Sequence, residues 1–235
     1  MSGDLVVVEK RNNIAIVTLN RPPLNPLSSA VFHKLDEAIS ELEKDSEIKA
    51  VIITGSGEKA FAAGVDITEI TKLSPVEIYE FNCLALSVFT KFENLSKPTI
   101  AAINGLALGG GYELALTCDF RIAAENAKFA QPEINLGIIP GGGATQRLPR
   151  LIGVARAKEL LYLGNTVDAG IAERFGMVNS VVPVDKLMDS AEELAQKLAA
   201  KPVVAMKMLK KTVNLGMQMD LNSATNLEIE SFVIA

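Results

Sequence analysis

Short runs of apolar and β-branched residues recur along the chain and predict its strands. Residues 5–8 and 14–19 form two such runs separated by a few polar residues, a pattern typical of a β-hairpin. Residues 50–54 and 99–103 are continuously apolar and are each followed closely by a glycine, which is typical of buried strands. A further strand is predicted at residues 120–123.

Helical periodicity fills the segments between these runs. Ser28 or Ser29 can cap a helix whose apolar residues recur every three or four positions. Residues 74–77 combine a capping serine, a proline at the first helical position and a glutamate at the third, so a second helix starts there. This alternation of strand and helix predicts an α/β fold whose parallel strands are covered by helices, with ligands at the C-terminal ends of the strands.

The chain turns helical after residue 143, and the last fifty residues are mostly helical by the same criterion. Lys207, Lys210 and Lys211 lie on the second of two C-terminal amphipathic helices, where they are predicted to form a solvated face. The predicted elements are a helix at 148–163, a helix from 169, a strand at 178–182 and helices at 185–198 and 202–215.

Composition narrows the classes of protein that fit this pattern. Of the 235 residues, 49% are hydrophobic and 22% are charged, which indicates a soluble globular protein with a substantial core. The net charge of -5 provides no basic surface for nucleic acid or an anionic membrane, so neither is expected as a partner. No apolar stretch is long enough to cross a bilayer.

Cysteine, histidine and the N-terminus give no sign of a metal site or an export signal. Cys83 and Cys118 lack the spacing of a disulfide framework or a zinc site, so both are expected to be buried free thiols. His33 lies on an amphipathic helix away from every motif and is expected at the surface. The N-terminus lacks the features of a leader peptide, so the expected location is the cytoplasm.

The segment from Asn104 to Glu133 carries the strongest chemical signal. A run of three glycines, residues 109–111, precedes an apolar-periodic segment and is predicted to start a helix, whose first amide groups lack partners within the helix. Glu113 falls in the first turn of that helix, and Glu133 is expected to project from an extended loop. Taken alone, the glycines could simply form a tight turn and the glutamates could be surface charges. Together they suggest oxyanion stabilisation combined with proton transfer.

Three motifs in order strengthen the second interpretation. They are residues 61–67 (Phe-Ala-Ala-Gly-Val-Asp-Ile), residues 104–114 (Asn-Gly-Leu-Ala-Leu-Gly-Gly-Gly-Tyr-Glu-Leu), and residues 129–134 (Phe-Ala-Gln-Pro-Glu-Ile) followed by residues 137–148. In type, order and spacing they resemble the crotonase (enoyl-CoA hydratase/isomerase) superfamily, and the resemblance covers essentially the whole chain. It implies a crotonase-like spiral of repeated ββα units at residues 1–185, containing the active site, and a helical C-terminal region at residues 186–235.

The resemblance also implies a catalytic site. The backbone amides of Val65 and Gly110 would form the oxyanion hole for a CoA thioester carbonyl, which gains negative charge as an enolate when water adds. Glu113 would orient and activate the water, and Glu133 would protonate the α-carbon. Because hydratases of the family carry both glutamates whereas isomerases can work with one, the pair favours a short-chain enoyl-CoA hydratase of the kind used in fatty-acid β-oxidation.

Substrate contacts follow from the same resemblance. Taken alone, an isolated lysine such as Lys59 is usually solvated, a lone phenylalanine such as Phe61 is usually core, and Asp66 after a glycine is well placed as a helix N-cap. CoA is part of the substrate, so no separate cofactor is expected. The residues expected to contact substrate are Leu27, Lys59, Phe61, Ala63, Gly64, Asp66, Ile67, Thr68, Pro140 and Gly141.

The family resemblance predicts a homotrimer or homohexamer. Compared with the family pattern, the chain stops before the usual last helix, so the C-terminal region is apparently shortened: either the sequence is trimmed or the protein lacks that cover over CoA.

Other functions fit parts of the same sequence. Residues 55–60 satisfy a loose dinucleotide-binding pattern, but they do not run into a long helix, so a nicotinamide dehydrogenase is disfavoured. A non-catalytic acyl-CoA-binding subunit is disfavoured by the two intact glutamates. An isomerase, a decarboxylase or a thioesterase would use the same oxyanion hole with different surrounding side chains.

Overall fold

The computed structural model describes residues 4–235, which form ten strands, ten α-helices and two 3-10 helices. The strands are β1 (Val6–Arg11), β2 (Ile14–Leu19), β3 (Ala50–Gly55), β4 (Ala60–Ala63), β5 (Thr99–Ile103), β6 (Leu106–Leu108), β7 (Phe120–Ala124), β8 (Lys128–Ala130), β9 (Val167–Asp168) and β10 (Ser180–Val182). The α-helices are α1 (Ser29–Lys44), α2 (Ile67–Ile70), α3 (Pro75–Glu93), α4 (Gly110–Leu116), α5 (Ala144–Ile152), α6 (Val154–Leu163), α7 (Ala169–Phe175), α8 (Leu187–Ala199), α9 (Val203–Gly216) and α10 (Leu221–Ile234), and the 3-10 helices are Pro132–Leu136 and Val184–Lys186.

Two sheets share these strands. The larger has the order β1-β2-β3-β5-β7-β10, and the smaller has the order β4-β6-β8-β9. Strand β1 is antiparallel to β2, and β9 is antiparallel to β8, whereas the other pairs are parallel. The pairs β3/β4, β5/β6 and β7/β8 each place one strand in the larger sheet and the next in the smaller, and helices follow each pair. The architecture is therefore α/β with a repeated strand-strand-helix unit.

Apolar side chains fill both faces of the larger sheet. One core cluster joins that sheet to β4, β6 and β8 and to helices α1, α3 and α4. The opposite face is covered by α8 through Leu187, Ala191, Ala195 and Ala199, which recur every four residues. Because both faces are buried, the central strands are continuously apolar, as the sequence pattern predicted.

Most predicted elements are confirmed. The hairpin is β1–β2, the buried runs are β3 and β5, and Ser28 caps α1. Ser74 and Glu77 form the predicted capping box of α3. The predicted helix from residue 148 instead starts at Ala144, and Gly153 divides it into two helices.

Three expectations were wrong, each because of tertiary packing or local geometry. Glu133 lies in a 3-10 helix that Pro132 starts and left-handed Gly137 ends, not in an extended loop. Cys83 is exposed because it lies off the buried stripe of α3, whereas Cys118 is buried as expected. Lys210 is buried and forms an ion pair with Asp119, so it does not belong to a solvated face.

The C-terminal helices differ in how they pack. The predicted domain boundary at residue 185 falls in the 3-10 helix that leads into α8, which packs back on the larger sheet, while α9 and α10 pack against each other. His33 is exposed, as expected. Across residues 4–235, no helix is both long enough and apolar enough to cross a membrane.

Candidate active site

The glycine run between β6 and α4 brings the backbone of two elements into close contact. Gly109 has a φ of 48°, a conformation that glycine adopts readily. A β-carbon on Gly111 would lie 1.9 Å from the carbonyl oxygen of Ala62, so only glycine lets α4 approach β4 this closely. The first turn of α4 is thereby fixed beside the segment that follows β4.

Two backbone amides lie next to each other at this junction. Val65 pairs with Leu27 as an isolated bridge, in which Leu27 N–H donates to Gly64 O and Asp66 N–H donates to Leu27 O, both at 2.9 Å. The β-carbon position of Gly110 lies 3.7 Å from Val65 N. Neither Val65 N–H nor Gly110 N–H has an acceptor within residues 4–235. Unpaired amides at the start of a helix are suited to bind an oxyanion.

Glu113 lies in the first turn of α4, with its side chain almost completely buried. Its Oε1 accepts hydrogen bonds from the N–H groups of Gly142 and Ala144, both at 2.9 Å. Burial raises the pKa of the Glu113 carboxyl, while the two amide donors and the positive charge of Arg147 oppose that rise. The amide donors therefore support an ionised form that burial alone would disfavour.

Glu133 approaches the same site from the 3-10 helix at residues 132–136. Its Oε1 lies 2.7 Å from the position that a β-carbon would take on Gly109, so the carboxyl is packed against the glycine run. Burial, followed by the nearby charge of Glu113, raises the pKa of Glu133 to about 7. The Gln131 amide satisfies its neighbours when its nitrogen faces Glu133. In that orientation Nε2 donates to both carboxyl oxygens of Glu133, at 3.1 and 3.2 Å.

Two carboxyl groups in different surroundings therefore lie beside the glycine run, where the unpaired amides of Gly110 and Val65 are neighbours. Glu113 is held by backbone donors, and Glu133 is partly buried with a pKa near neutrality. Such a pair can supply a base and an acid at the same pH. No group of three or more His, Cys, Asp or Glu residues in the described part of the chain is arranged to hold a metal ion.

The predicted contact residues differ widely in exposure and in local contacts. Asp66 accepts from Thr68 N–H as the N-cap of α2 and also forms a 2.9 Å ion pair with Arg21. Gly141 is exposed, and a β-carbon there would lie 2.9 Å from Asn82 Oδ1. Lys59, Ile67 and Thr68 are exposed, Ala63, Gly64 and Pro140 are half-buried, Leu27 is buried beside Gly110, and the Phe61 side chain is fully buried in the core.

Several residues that shape the site were not singled out from the sequence. Arg21 donates to Pro26 O at 2.8 Å and to Asp66, so it braces both chain segments around Val65. Gln131 immediately precedes the Pro132-Glu133 pair, so its position in the sequence could have indicated a contact with the candidate acid. Arg147 contacts the loop that holds Glu113, but its partner Glu93 is 54 residues away, which no local pattern indicates.

Known proteins resemble this chain over nearly its whole length. The short-chain-enoyl-CoA hydratase of Clostridium acetobutylicum is 48% identical over 228 residues, which cover 97% of this chain and 87% of that protein. The crotonyl-CoA hydratase of Syntrophomonas wolfei is 43% identical over 233 residues, covering 99% and 90%. A crystal structure of enoyl-CoA hydratase from Bacillus anthracis aligns with a TM-score of 0.95 at 40% identity, covering 97% and 90%.

These similarities confirm the crotonase-like fold predicted from the three motifs. Residues 9–234 match the family described as enoyl-CoA hydratase/isomerase. With relatives at this level of identity and coverage, the chain belongs to the enoyl-CoA hydratase/isomerase family.

Proposed function

We propose that the protein is an enoyl-CoA hydratase, which adds water reversibly across the 2,3 double bond of a 2-enoyl-CoA thioester. The observation that carries this proposal is the placement of two differently stabilised carboxyl groups beside two unpaired amides. Relatives named short-chain-enoyl-CoA hydratase and crotonyl-CoA hydratase support the same reaction. The acyl-CoA is the substrate, so the reaction needs no further cofactor.

The amides of Val65 and Gly110 bind the thioester oxygen. Attack of water on C3 moves electron density to that oxygen and forms an enolate, and two donors already fixed by the backbone stabilise it without reorganising. Loss of one donor of this kind typically costs about 10²–10³ in rate. Because both donors belong to the backbone, the side chain of Val65 affects the width of the site and leaves the donor in place.

The two glutamates divide the proton transfers. Glu113 takes a proton from the attacking water, and the amides of Gly142 and Ala144 hold its carboxyl group for that step. Glu133 gives a proton to the α-carbon, and a pKa of about 7 leaves much of it protonated near neutral pH. The product gains OH at C3 and H at C2, and exchange with solvent restores both groups.

The family pattern extends the proposal to substrate contacts and assembly. The exposed and half-buried residues from Lys59 to Thr68 and at Pro140 and Gly141 line the path of the CoA moiety. Helices α9 and α10 expose large apolar side chains, with Leu221 78% and Phe232 82% exposed, and such surfaces are typical of subunit contacts. A homotrimer or homohexamer fits this apolar surface, and light scattering measures the assembly directly. The location we expect from the sequence is the cytoplasm.

Crotonyl-CoA is the test substrate. Hydration abolishes the enoyl thioester absorbance, and chiral analysis of the 3-hydroxybutyryl-CoA product reports on stereochemistry. Pure protein that binds crotonyl-CoA without turnover would indicate the non-catalytic binding role, and migration of the double bond in a 3-enoyl-CoA without hydration would indicate an isomerase.

Substitution of Glu133 tests its assigned role. Glu133→Gln should nearly abolish hydration while calorimetry with butyryl-CoA, which cannot be hydrated, shows unchanged binding. Glu125→Gln is the matched control because Glu125 is an exposed residue on the β7–β8 turn. A Glu133→Gln variant that keeps more than about a tenth of the rate would remove Glu133 from the mechanism.

A further inference from the structure

Arg147 on α5 contacts the loop that holds Glu113 but has no role in the mechanism above. Its Nη1 donates to the carbonyl oxygen of Gly142 at 3.0 Å. Its Nε and Nη2 donate to the two carboxylate oxygens of Glu93, at 3.0 and 2.7 Å. A planar guanidinium with three of its donors engaged in this way has a fixed position and orientation.

Gly142 connects Arg147 to the candidate base. The carbonyl of Gly142 accepts from Arg147, and the amide of the same residue donates to Glu113 Oε1. Gly143 follows with a φ of 110°, and a β-carbon there would lie 2.1 Å from Arg147 Nη1. The guanidinium therefore fills the space next to this loop and limits how the loop can move.

Glu93 is fixed in turn by its own surroundings. It is the last residue of α3, and its backbone carbonyl accepts from Asn214 Nδ2 on α9 at 3.2 Å. The side chains of Arg147 and Glu93 are 18% and 32% exposed, so the pair is partly shielded from water. Three helices thus meet at one ion pair directly behind the loop of Glu113.

We propose that Arg147, held by Glu93, is a positioning residue for hydration, fixing Gly142 so that its amide holds Glu113 in the orientation that activates water. The inference rests on the proposed hydratase function. Arg147 acts through Gly142 and makes no contact with substrate in this role.

The charge of Arg147 adds a second, measurable effect. The charged groups facing the Glu113 carboxyl are Arg147 from α5 and Glu133 from the 3-10 helix, with Glu93 behind Arg147. Arg147 opposes the rise in the Glu113 pKa, so its removal raises that pKa further. Since Glu113 acts as the ionised base, the acidic limb of the kcat/KM profile moves to higher pH.

A purely structural role makes a different prediction. If the ion pair only ties α3, α5 and α9 together, its loss lowers the melting temperature but leaves the pH profile and the kcat of the folded enzyme unchanged. Arg150 provides the matched control, since it lies one turn further along α5, is exposed and, within residues 4–235, donates only to Gln146.

The first experiment compares Arg147→Met, Arg147→Lys and Arg150→Met on crotonyl-CoA. Arg147→Met should lower kcat about 10- to 100-fold with little change in KM, and should shift the acidic limb upward. Arg147→Lys keeps the charge without the forked geometry, so it should restore the acidic limb and recover only part of kcat. Arg150→Met should match the wild type. An Arg147→Met enzyme with kcat within about twofold of wild type and an unshifted limb overturns the proposal.

The second experiment does not depend on turnover. The carboxyl carbons of glutamate are labelled with ¹³C, and the Glu113 resonance is identified by its absence in Glu113→Gln. Its titration midpoint should rise in Arg147→Met and stay unchanged in Arg150→Met. An unchanged midpoint in folded Arg147→Met contradicts the positioning role even if crotonyl-CoA proves not to be a substrate. If Arg147→Met does not fold, Arg147→Lys gives the decisive comparison, because a wild-type kcat in that variant would equally contradict the proposal.

Discussion

Gly142 has no room for a side chain because Glu113 and Phe89 occupy the space around it. A β-carbon at this position would lie 2.6 Å from Glu113 Oε2 and 2.6 Å from Phe89 Cε2. Since the Gly142 amide also holds Glu113, we expect Gly142→Ala to displace the carboxyl and lower kcat about 100-fold. Steady-state kinetics on crotonyl-CoA measure the loss.

Gly170 is the control for this substitution. It lies inside α7, and a β-carbon there would have Asp168 Oδ1 at 3.5 Å, an ordinary contact distance. Gly170→Ala should keep full activity and raise the free energy of unfolding by about 0.5–1 kcal/mol, because alanine loses less backbone entropy in a helix. Equal activity of both variants would contradict the steric argument at Gly142.

Glu133 links activity and stability to pH. Its pKa rises from 4.5 to about 7 on folding, so the folded protein keeps a proton that the unfolded chain releases in this range. Folding therefore becomes less favourable as pH rises from about 4.5 to 7. Glu133→Gln removes this loss. The free energy of unfolding of the variant, relative to that of the wild type, should therefore be higher at pH 8 than at pH 5, as measured by urea unfolding. The same stability difference at both pH values would contradict the raised pKa.

The activity of the wild-type enzyme should depend on the same proton. If Glu133 must be protonated to serve as the acid, kcat/KM for hydration falls as pH rises above about 7.

At the residue scale, the three sequence motifs identified the four candidate catalytic residues. Their roles came from the resemblance of these motifs to a known family, and the fold places the motifs side by side. The sequence did not indicate which residues pair to hold the site in place. Arg147 and Glu93 are 54 positions apart, and Arg21 and Asp66 are 45 apart, so their pairing follows only from the packed fold.

The buried Lys97 side chain caps the C-terminal end of α1. It lies just before β5, and its Nζ donates to the carbonyl oxygens of Leu42, Glu43 and Asp45 at the end of α1. Helix C-termini leave carbonyls without partners, and a lysine can satisfy them. Burial lowers the pKa of Lys97, while Glu43 and Asp45 oppose this effect.

Loss of this cap should destabilise the protein. Lys97→Met leaves the carbonyls without their donor, and we expect a loss of about 1–3 kcal/mol in the free energy of unfolding, measured by urea titration. Lys44→Met is the control, because Lys44 lies exposed in the last turn of the same helix. If the two variants were equally stable, the Lys97 contacts would contribute nothing to holding α1.

The elements that were predicted well are those with a complete local signal. The capping box of α3 and the periodic stripe of α1 specify their own boundaries. The 3-10 helix around Glu133 lacks a helical period and depends on Pro132 and on Gly137 in the left-handed conformation, so it was mistaken for a loop.

For the whole molecule, strand composition alone could not assign strands to sheets. β5 and β6 are both short and apolar and are separated by two residues, yet they belong to different sheets. The family resemblance predicted the spiral arrangement, whereas periodicity could not, because strand pairing depends on contacts between residues far apart in the sequence. The burial of Lys210 is a further long-range effect, because its partner Asp119 precedes it by 91 positions.

Lys210 anchors α9 to the rest of the molecule. Its Nζ donates to Asp119 Oδ2 at 2.8 Å and to Lys97 O at 3.0 Å, and Asp119 also accepts from the amide and hydroxyl of Thr99. Removal of one member of a shielded ion pair leaves the other uncompensated. Lys210→Met should therefore lower the free energy of unfolding by about 3 kcal/mol.

A variant of the neighbouring Lys211 distinguishes the loss of the buried ion pair from a general effect of charge on α9. Lys211 is exposed, so Lys211→Met changes the net charge equally without breaking the buried pair. Hydrogen exchange of α9 amides should accelerate in Lys210→Met and remain at the wild-type rate in Lys211→Met, because local opening becomes easier only when the anchor is lost. Equal exchange rates in the two variants would show that apolar packing alone holds α9 in place.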